Sequence, residues 1–275
     1  METHQSLRSK ADWIRRQTLA LHKAAPETRL ASSLSCVEIL VALHYHLLRI
    51  DPADPLSDKR DRLIVSKGHG TISLYPILAD RGFIPAWELE RPFLSGSLLK
   101  VIPDTFIPGY ETTNGSLGHG LGVGVGVALG LRAKGSDRLS VVLCGDGEFN
   151  EGSMWEAIMF AGHHHLDNLT LIVDLNKLSM LDYCDNIIKL SPLSDKLSVF
   201  GWKVWEVRDG HDFDQLMPPL AEALAGGHGQ PTAIIVSTVK GKGVPRLERD
   251  SLCHIRSLAA DEVDRLLGGD NHDAD

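Results

Sequence analysis

The chain has little cysteine and no pairing pattern for it: Cys36, Cys144, Cys184 and Cys253 are scattered, with no Cys-x-x-Cys anywhere. This excludes a disulfide framework and a cysteine-rich metal site, and implies reduced thiols. Cys144 closes a hydrophobic run and reads as packing rather than catalysis. No apolar run approaches the roughly 20 residues of a membrane span, and the N-terminus is polar and charged through Arg16, so neither membrane insertion nor secretion is expected. Blocks of lysine or arginine are also missing, and the formal net charge of −8 argues against nucleic acid or an anionic membrane as partner. A cytoplasmic enzyme fits these exclusions. With 43% hydrophobic and 23% charged residues, the 275-residue chain can bury a substantial core, and one α/β domain over residues 1–275 is expected.

Strand-like and helical patterns alternate along that length. A helix over about Ala11 to Ala24 precedes one over about Ser35 to Leu48, where Val37, Leu40, Val41 and Leu47 recur at helical spacing. Strands are expected at 61–66, 139–144, 169–174, 203–207 and 232–238. Helices are expected at 71–80, 118–130, 152–165, 213–225 and 259–267, with a frayed tail over 268–275. This alternation predicts a doubly wound, mostly parallel sheet with helices on both faces. Residues 85–110 read as an irregular surface connection that lines the site.

Two strand ends hold the most specific chemistry. Cys144-Gly145-Asp146-Gly147 and Asp174-Leu175-Asn176-Lys177 each close a hydrophobic run, with Asp146 and Asn176 about thirty residues apart. That spacing fits one βαβ unit, whose two strands end at the same sheet edge, where open α/β sheets bind ligands. A carboxylate and an amide oxygen beside glycines make a hard-oxygen site suited to magnesium carried on a diphosphate.

Glycine dominates the segment from Gly118 to Gly130. Gly118, Gly122, Gly126 and Gly130 recur every fourth residue, with Gly120 and Gly124 between them. Each glycine costs up to about 1 kcal/mol against alanine in a helix interior, so close packing against another backbone, the cofactor or a second copy of the helix is expected. A dinucleotide fingerprint is disfavoured, because no strand immediately precedes it and no acidic residue follows at about twenty positions. His163-His164-His165 point in different directions on a helix and do not form a metal site.

Gly145-Asp146-Gly147 followed by Asn176 resembles the thiamine-diphosphate signature, and the surroundings from roughly Asp12 to Leu267 resemble the N-terminal, diphosphate-binding part of a transketolase. Four further blocks lie in the family's order: Ser66-Lys67-Gly68-His69-Gly70, the 114–120 block from Asn114 to Gly120, Asn150-Glu151-Gly152, and Lys240-Gly241-Lys242-Gly243 followed by His254. The resemblance implies thiamine diphosphate with Mg2+, or another divalent cation such as Ca2+ or Mn2+, the ion held by Asp146, Asn176 and the backbone carbonyl of Leu178. It implies catalytic roles for His69 and His254 against diphosphate and substrate, and contacts from Gly115 and Leu117 to the cofactor rings. Gly145, Gly147 and Glu148 complete the cofactor residues, Gly147 offering its backbone N–H to the diphosphate. Glu151 and Glu156 match glutamates that link two active sites across an interface.

Two departures from the family bear on the substrate. Arg29, in Thr28-Arg29-Leu30-Ala31, stands at the usual histidine, and Tyr110, in Pro108-Gly109-Tyr110-Glu111, stands where a second histidine is usual. Both histidines face the sugar, so Arg29 and Tyr110 are expected at the substrate, Arg29 as a fixed cation for a carboxylate or phosphate. The family's pyrimidine-binding domain, with its glutamate, has no counterpart here. A separate C-terminal subunit supplying both, and an α2β2 assembly acting on sugars, are therefore expected. The implied reaction moves a two-carbon ketol unit from a ketose to an aldehyde. A 2-oxo-acid dehydrogenase or decarboxylase component, a xylulose-phosphate synthase-like enzyme and a non-catalytic scaffold stay open beside it.

Overall fold

In the computed structural model, residues 4–268 are described. Five strands, β1 (Arg62–Val65), β2 (Ser140–Gly145), β3 (Leu169–Leu175), β4 (Lys203–Val207) and β5 (Thr232–Ser237), form one sheet in the order β1-β2-β3-β5-β4, with every pair parallel. The central strands read as continuous apolar runs because both faces of the sheet are covered. Val141 and Leu143 of β2 join one buried cluster while Val142 and Cys144 join another, as the two-residue repeat of a strand requires.

The helices divide between those faces. α1 (His4–Ala24), α2 (Leu30–Leu34), α3 (Val37–Ala42) and α4 (Leu74–Arg81) precede α5 (Gly120–Ala133) and α6 (Gly152–His163). The short α7 (Cys184–Ile187) and α8 (Leu193–Val199) follow β3, α9 (Phe213–Leu224) joins β4 to β5, and α10 (Pro245–Glu248) and α11 (Ala260–Gly268) complete the order. Residues of α1, α3, α4 and α9 fill the first cluster; residues of α5, α6 and α8 fill the second. A third cluster sits at the carboxyl edge, where Leu19, Leu34, Leu178, Leu247, Cys253 and Val263 meet.

The sheet and its alternation agree with the sequence, with three differences in the helices. The helix expected from Ser35 to Leu48 is broken at Cys36, whose backbone is not helical (φ −106°, ψ 15°), and its last turn, Leu43–Leu47, is π-helical. Local bonding explains the break, since Ser35 Oγ donates to Ser32 O at 3.1 Å and to Asp174 Oδ2 at 2.7 Å. The first helix begins earlier, at His4, and α7 and α8 occupy a stretch read as connection. Of the tail expected from Gly268 onward, Gly268 closes α11 and 269–275 lie outside the described residues. No helix among the described residues is long and apolar enough to cross a membrane.

Candidate active site at the carboxyl edge

Parallel register fixes the site. Gly145 pairs with Asp174, and Leu175 with Ser237, so Asp146, Asn176 and Thr238 leave the sheet side by side. Beyond β1, Gly68–Gly70 form a 3-10 turn that carries His69; beyond β2, Asp146–Asn150 form another. Gly68 packs so closely against Asn114 that a Cβ would collide with its carbonyl oxygen, which holds the 114–120 block against the end of β1. These loops and the turn at Cys253–Ile255 enclose a cavity of about 240 Å3.

That cavity collects most of the expected residues: His69, Gly115, Leu117, Gly145, Asp146, Gly147, Glu148, Asn176, Leu178 and His254 all line it. Asp146 is buried, and its carboxylate accepts from Gly147 N at 2.8 Å and Lys177 N at 2.5 Å. Burial, then the charge of Asp174, push its carboxyl up to about 6. Asn176 Oδ1 accepts from Leu178 N at 3.2 Å, so the amide oxygen and the metal loop share one turn. Among the described residues no cluster of three or more His, Cys, Asp or Glu side chains could hold a metal. A cation here would need the Asp146 carboxylate, the Asn176 amide, a backbone carbonyl and oxygens from the ligand, a hard donor set suited to magnesium or calcium.

The two histidines are neutral. Burial first, then the charges of Lys67, His254, Lys240 and Arg29, bring His69 down to about 3; burial, then Lys240, Arg29 and Lys67, bring His254 to about 3. Their rings lie 5.0 Å apart, and His254 Nδ1 is 3.3 Å from Ser32 Oγ. A neutral imidazole can accept or donate one proton, which suits it to a hydroxyl or a developing alkoxide.

Sequence reasoning missed the site's two buried lysines. Lys67 pairs with Asp174, which also accepts from Ser35 and Thr238. Burial opposes its charge, but Asp174 outweighs burial and holds the ammonium above the ordinary lysine range. Lys240 lines the cavity from the loop after β5 and donates to the carbonyls of Leu178 at 2.6 Å and Ser179 at 3.3 Å. Both lysines stand inside the motif blocks; a lysine in a glycine-rich loop at a proposed diphosphate is the signal that could have found them.

Four expected roles come out differently. Tyr110 does not line the cavity: its ring packs 6.5 Å from that of Tyr75 against the first core cluster, with its hydroxyl buried, because the preceding turn directs it inward. The Gly147 N–H is engaged by Asp146 and does not face the cavity as a free donor. Glu148 acts as a tether, accepting from Gly145 N at 3.0 Å, Gly118 N at 2.8 Å and Ser66 Oγ at 2.5 Å, so it joins three loops. Of the six glycines in the 118–130 stripe, Gly120 and Gly124 meet the sheet, where a Cβ would strike Ser66 and Val142, while Gly122, Gly126 and Gly130 face open space. Arg29 caps the start of α2, half-buried, its charge acting on both histidines and its guanidinium without a hydrogen-bond partner among the described residues. Glu151, at the N-cap of α6, and Glu156, within it, are exposed.

Residues 10–270 match the family profile described as "Transketolase, thiamine diphosphate binding domain". The chain is 38% identical to one of the two kinds of chain named for the apulose-4-phosphate transketolase of Actinobacillus succinogenes, covering 96% of each. It is 36% identical to the 6-deoxy-6-sulfo-D-fructose transketolase subunit SqwG of a Clostridium species, covering 92% of this chain and 91% of that protein. The crystal structure of the transketolase of Campylobacter jejuni superposes with a TM-score of 0.87 at 26% identity, over 100% of this chain and 44% of that one. The chain thus spans less than half of that solved transketolase.

Proposed function

Because the chain belongs to the transketolase family through its thiamine diphosphate binding domain, we propose that it is the diphosphate-binding subunit of a two-component transketolase. It transfers a ketol unit from a ketose to an aldehyde together with a C-terminal subunit that supplies the pyrimidine-binding domain and its glutamate. The observation that carries this reading is the convergence of Asp146, Asn176, Leu178, His69 and His254 on one cavity. Mixing tests it: the purified chain with thiamine diphosphate and Mg2+ is inactive alone and gains ketol transfer when the partner is added. Ketol transfer by the chain alone, or pyruvate decarboxylation by the pair, would refute it.

When bound, the cofactor supplies a nucleophilic carbon able to cleave a ketose carbon–carbon bond. The chain's own residues bind and orient. Asp146, Asn176 and the Leu178 carbonyl hold the divalent cation, and Lys67 and Lys240 supply positive charge at the diphosphate. His69 and His254, both neutral, donate to or accept from substrate hydroxyls and transfer protons during bond cleavage. Gly115 and Leu117 meet the cofactor rings. Four buried, unpaired cysteines support a cytoplasmic location.

Arg29 sets the donor. Its unpaired guanidinium beside two neutral imidazoles favours an anionic sugar, and the substrates for which both relatives are named carry a phosphate or sulfonate. Arg29→His in the reconstituted pair shifts preference toward uncharged ketoses; unchanged preference across a donor panel removes this role. Two copies assemble through α5 and α6, where Gly122, Gly126 and Gly130 expose bare backbone beside Val123, Met159, Phe160 and the two glutamates Glu151 and Glu156. Three solvent-facing glycines, each costing about 1 kcal/mol, are compensated if a second helix approaches closely. Gly126→Leu then yields a monomeric chain in light scattering where the wild type is dimeric.

A further inference from the structure

Lys240 is bonded to the wrong partner for a diphosphate ligand. It is 5% exposed, and its hydrogen bonds run to two main-chain carbonyls rather than to a carboxylate. One of them, Leu178 O, is the carbonyl that the proposed cation would share with Asp146 and Asn176. The turn that presents it is rigid. Lys177 is held at φ +67°, its N–H donates to Asp146, and its carbonyl accepts from Cys184 N at 2.9 Å. Ser179 N donates to Asp182 O at 2.9 Å, and Leu178 is bridged to Tyr183. A carbonyl fixed in this way cannot turn aside to serve two cations, so the side chain must move.

We propose that Lys240 is a resident counter-cation of the metal loop that must release the Leu178 carbonyl before a divalent ion can take it. Diphosphate provides the stronger, charge-assisted partner that draws the ammonium away. Ion and diphosphate therefore enter together, and the ion alone is excluded. The charge balance of the cavity supports this: burial and the like charge of Lys67 both disfavour the Lys240 ammonium, while Asp146 and Asp174 attract it without touching it. An ammonium held by carbonyls and opposed by a second lysine transfers readily to an added anion. The inference rests on the reading of Asp146, Asn176 and Leu178 as cation ligands.

The test measures Mn2+ binding to the purified chain by electron paramagnetic resonance, with and without thiamine diphosphate, so no turnover is needed. In the wild type, Mn2+ alone binds at least tenfold more weakly than Mn2+ with the cofactor. Lys240→Met binds Mn2+ alone at least tenfold more tightly than wild type, a gain that a merely structural defect would not produce. Adding Asp146→Asn abolishes that gain. Should Lys240→Met fail to fold, Lys240→Gln, which keeps a donor but no charge, gives a smaller gain of the same sign. Equal Mn2+ affinity in wild type and either folded variant overturns the proposal while leaving the cofactor site standing. Absence of Mn2+ binding in every form, even with thiamine diphosphate present, overturns both this inference and the cation-ligand reading beneath it.

Discussion

The two edges of the sheet each carry a cavity, and the larger one is chemically quieter. At the amino edge about 500 Å3 opens among Arg49, Asp61, Asp137, Asn168 and Leu139. Its arginine is satisfied, with Arg49 donating to Asp61 at 2.9 Å and to Asp137 at 3.0 Å. At the carboxyl edge about 240 Å3 contains two lysines, two neutral histidines and a carboxyl raised to about 6. Volume does not locate the chemistry. Charges held apart from their natural partners do, because they are poised for a ligand rather than for each other.

The sharpest way to break this contrast is to remove a charge at the carboxyl edge. Lys67→Met leaves Asp174 buried without its cation and is expected to cost about 3–5 kcal/mol, read as a lowered urea midpoint. An unchanged midpoint would mean that Ser35 and Thr238 alone satisfy Asp174. Next, Asp146→Asn removes the single carboxylate from the proposed cation site and weakens Mn2+ binding in the presence of thiamine diphosphate about 100-fold, a loss of roughly 2.7 kcal/mol.

Acid sharpens the contrast from another side. Without a cation, Asp146 takes up a proton as pH falls through about 6, so cation affinity drops up to about tenfold per unit below that point. Stability has competing signs. His69 and His254 are depressed to about 3 and His22 and His44 to about 4, so all four contribute stability that is present above about 6.5 and is lost as pH falls. Asp146 is raised, and its contribution runs the other way, present in acid and lost as pH rises through about 6. Four groups against one predict a melting temperature that falls between about pH 6.5 and 4. A flat profile would show that the histidines become hydrated. The smallest effect belongs to the amino edge: Arg49→Ala costs about 1 kcal/mol, since Asp61 keeps the N–H groups of Arg49 and Leu139, and cofactor binding measured by calorimetry does not change.

The sheet was legible because its strands are buried on both faces and read as unbroken apolar runs between glycine-rich turns. Asp146, Asn176, His69 and His254 were legible through motif spacing, and parallel register explains why they meet. The break at Cys36 was not legible, because it depends on Ser35 bonding to Asp174 across 139 residues of sequence. Tyr110 was misplaced because a family pattern assigns a position along the chain but not the direction of a side chain, and the turn before it points inward. The lysines were passed over because a lysine read alone is a surface residue. Only the fold shows Lys67 and Lys240 closed off from water.

The third apolar cluster joins Leu19 of the first helix to Val263 of the last, with Leu178 and Cys253 between them. The floor of the cavity is therefore woven from segments far apart in the sequence. During vectorial synthesis the five strands can pair while α11 is still inside the ribosome, yet Leu178 and the neighbour of His254 have no support until that helix emerges and docks. The ligand pocket is the last part of the molecule to mature, and a nascent chain stalled before Ala260 carries the sheet without a usable site.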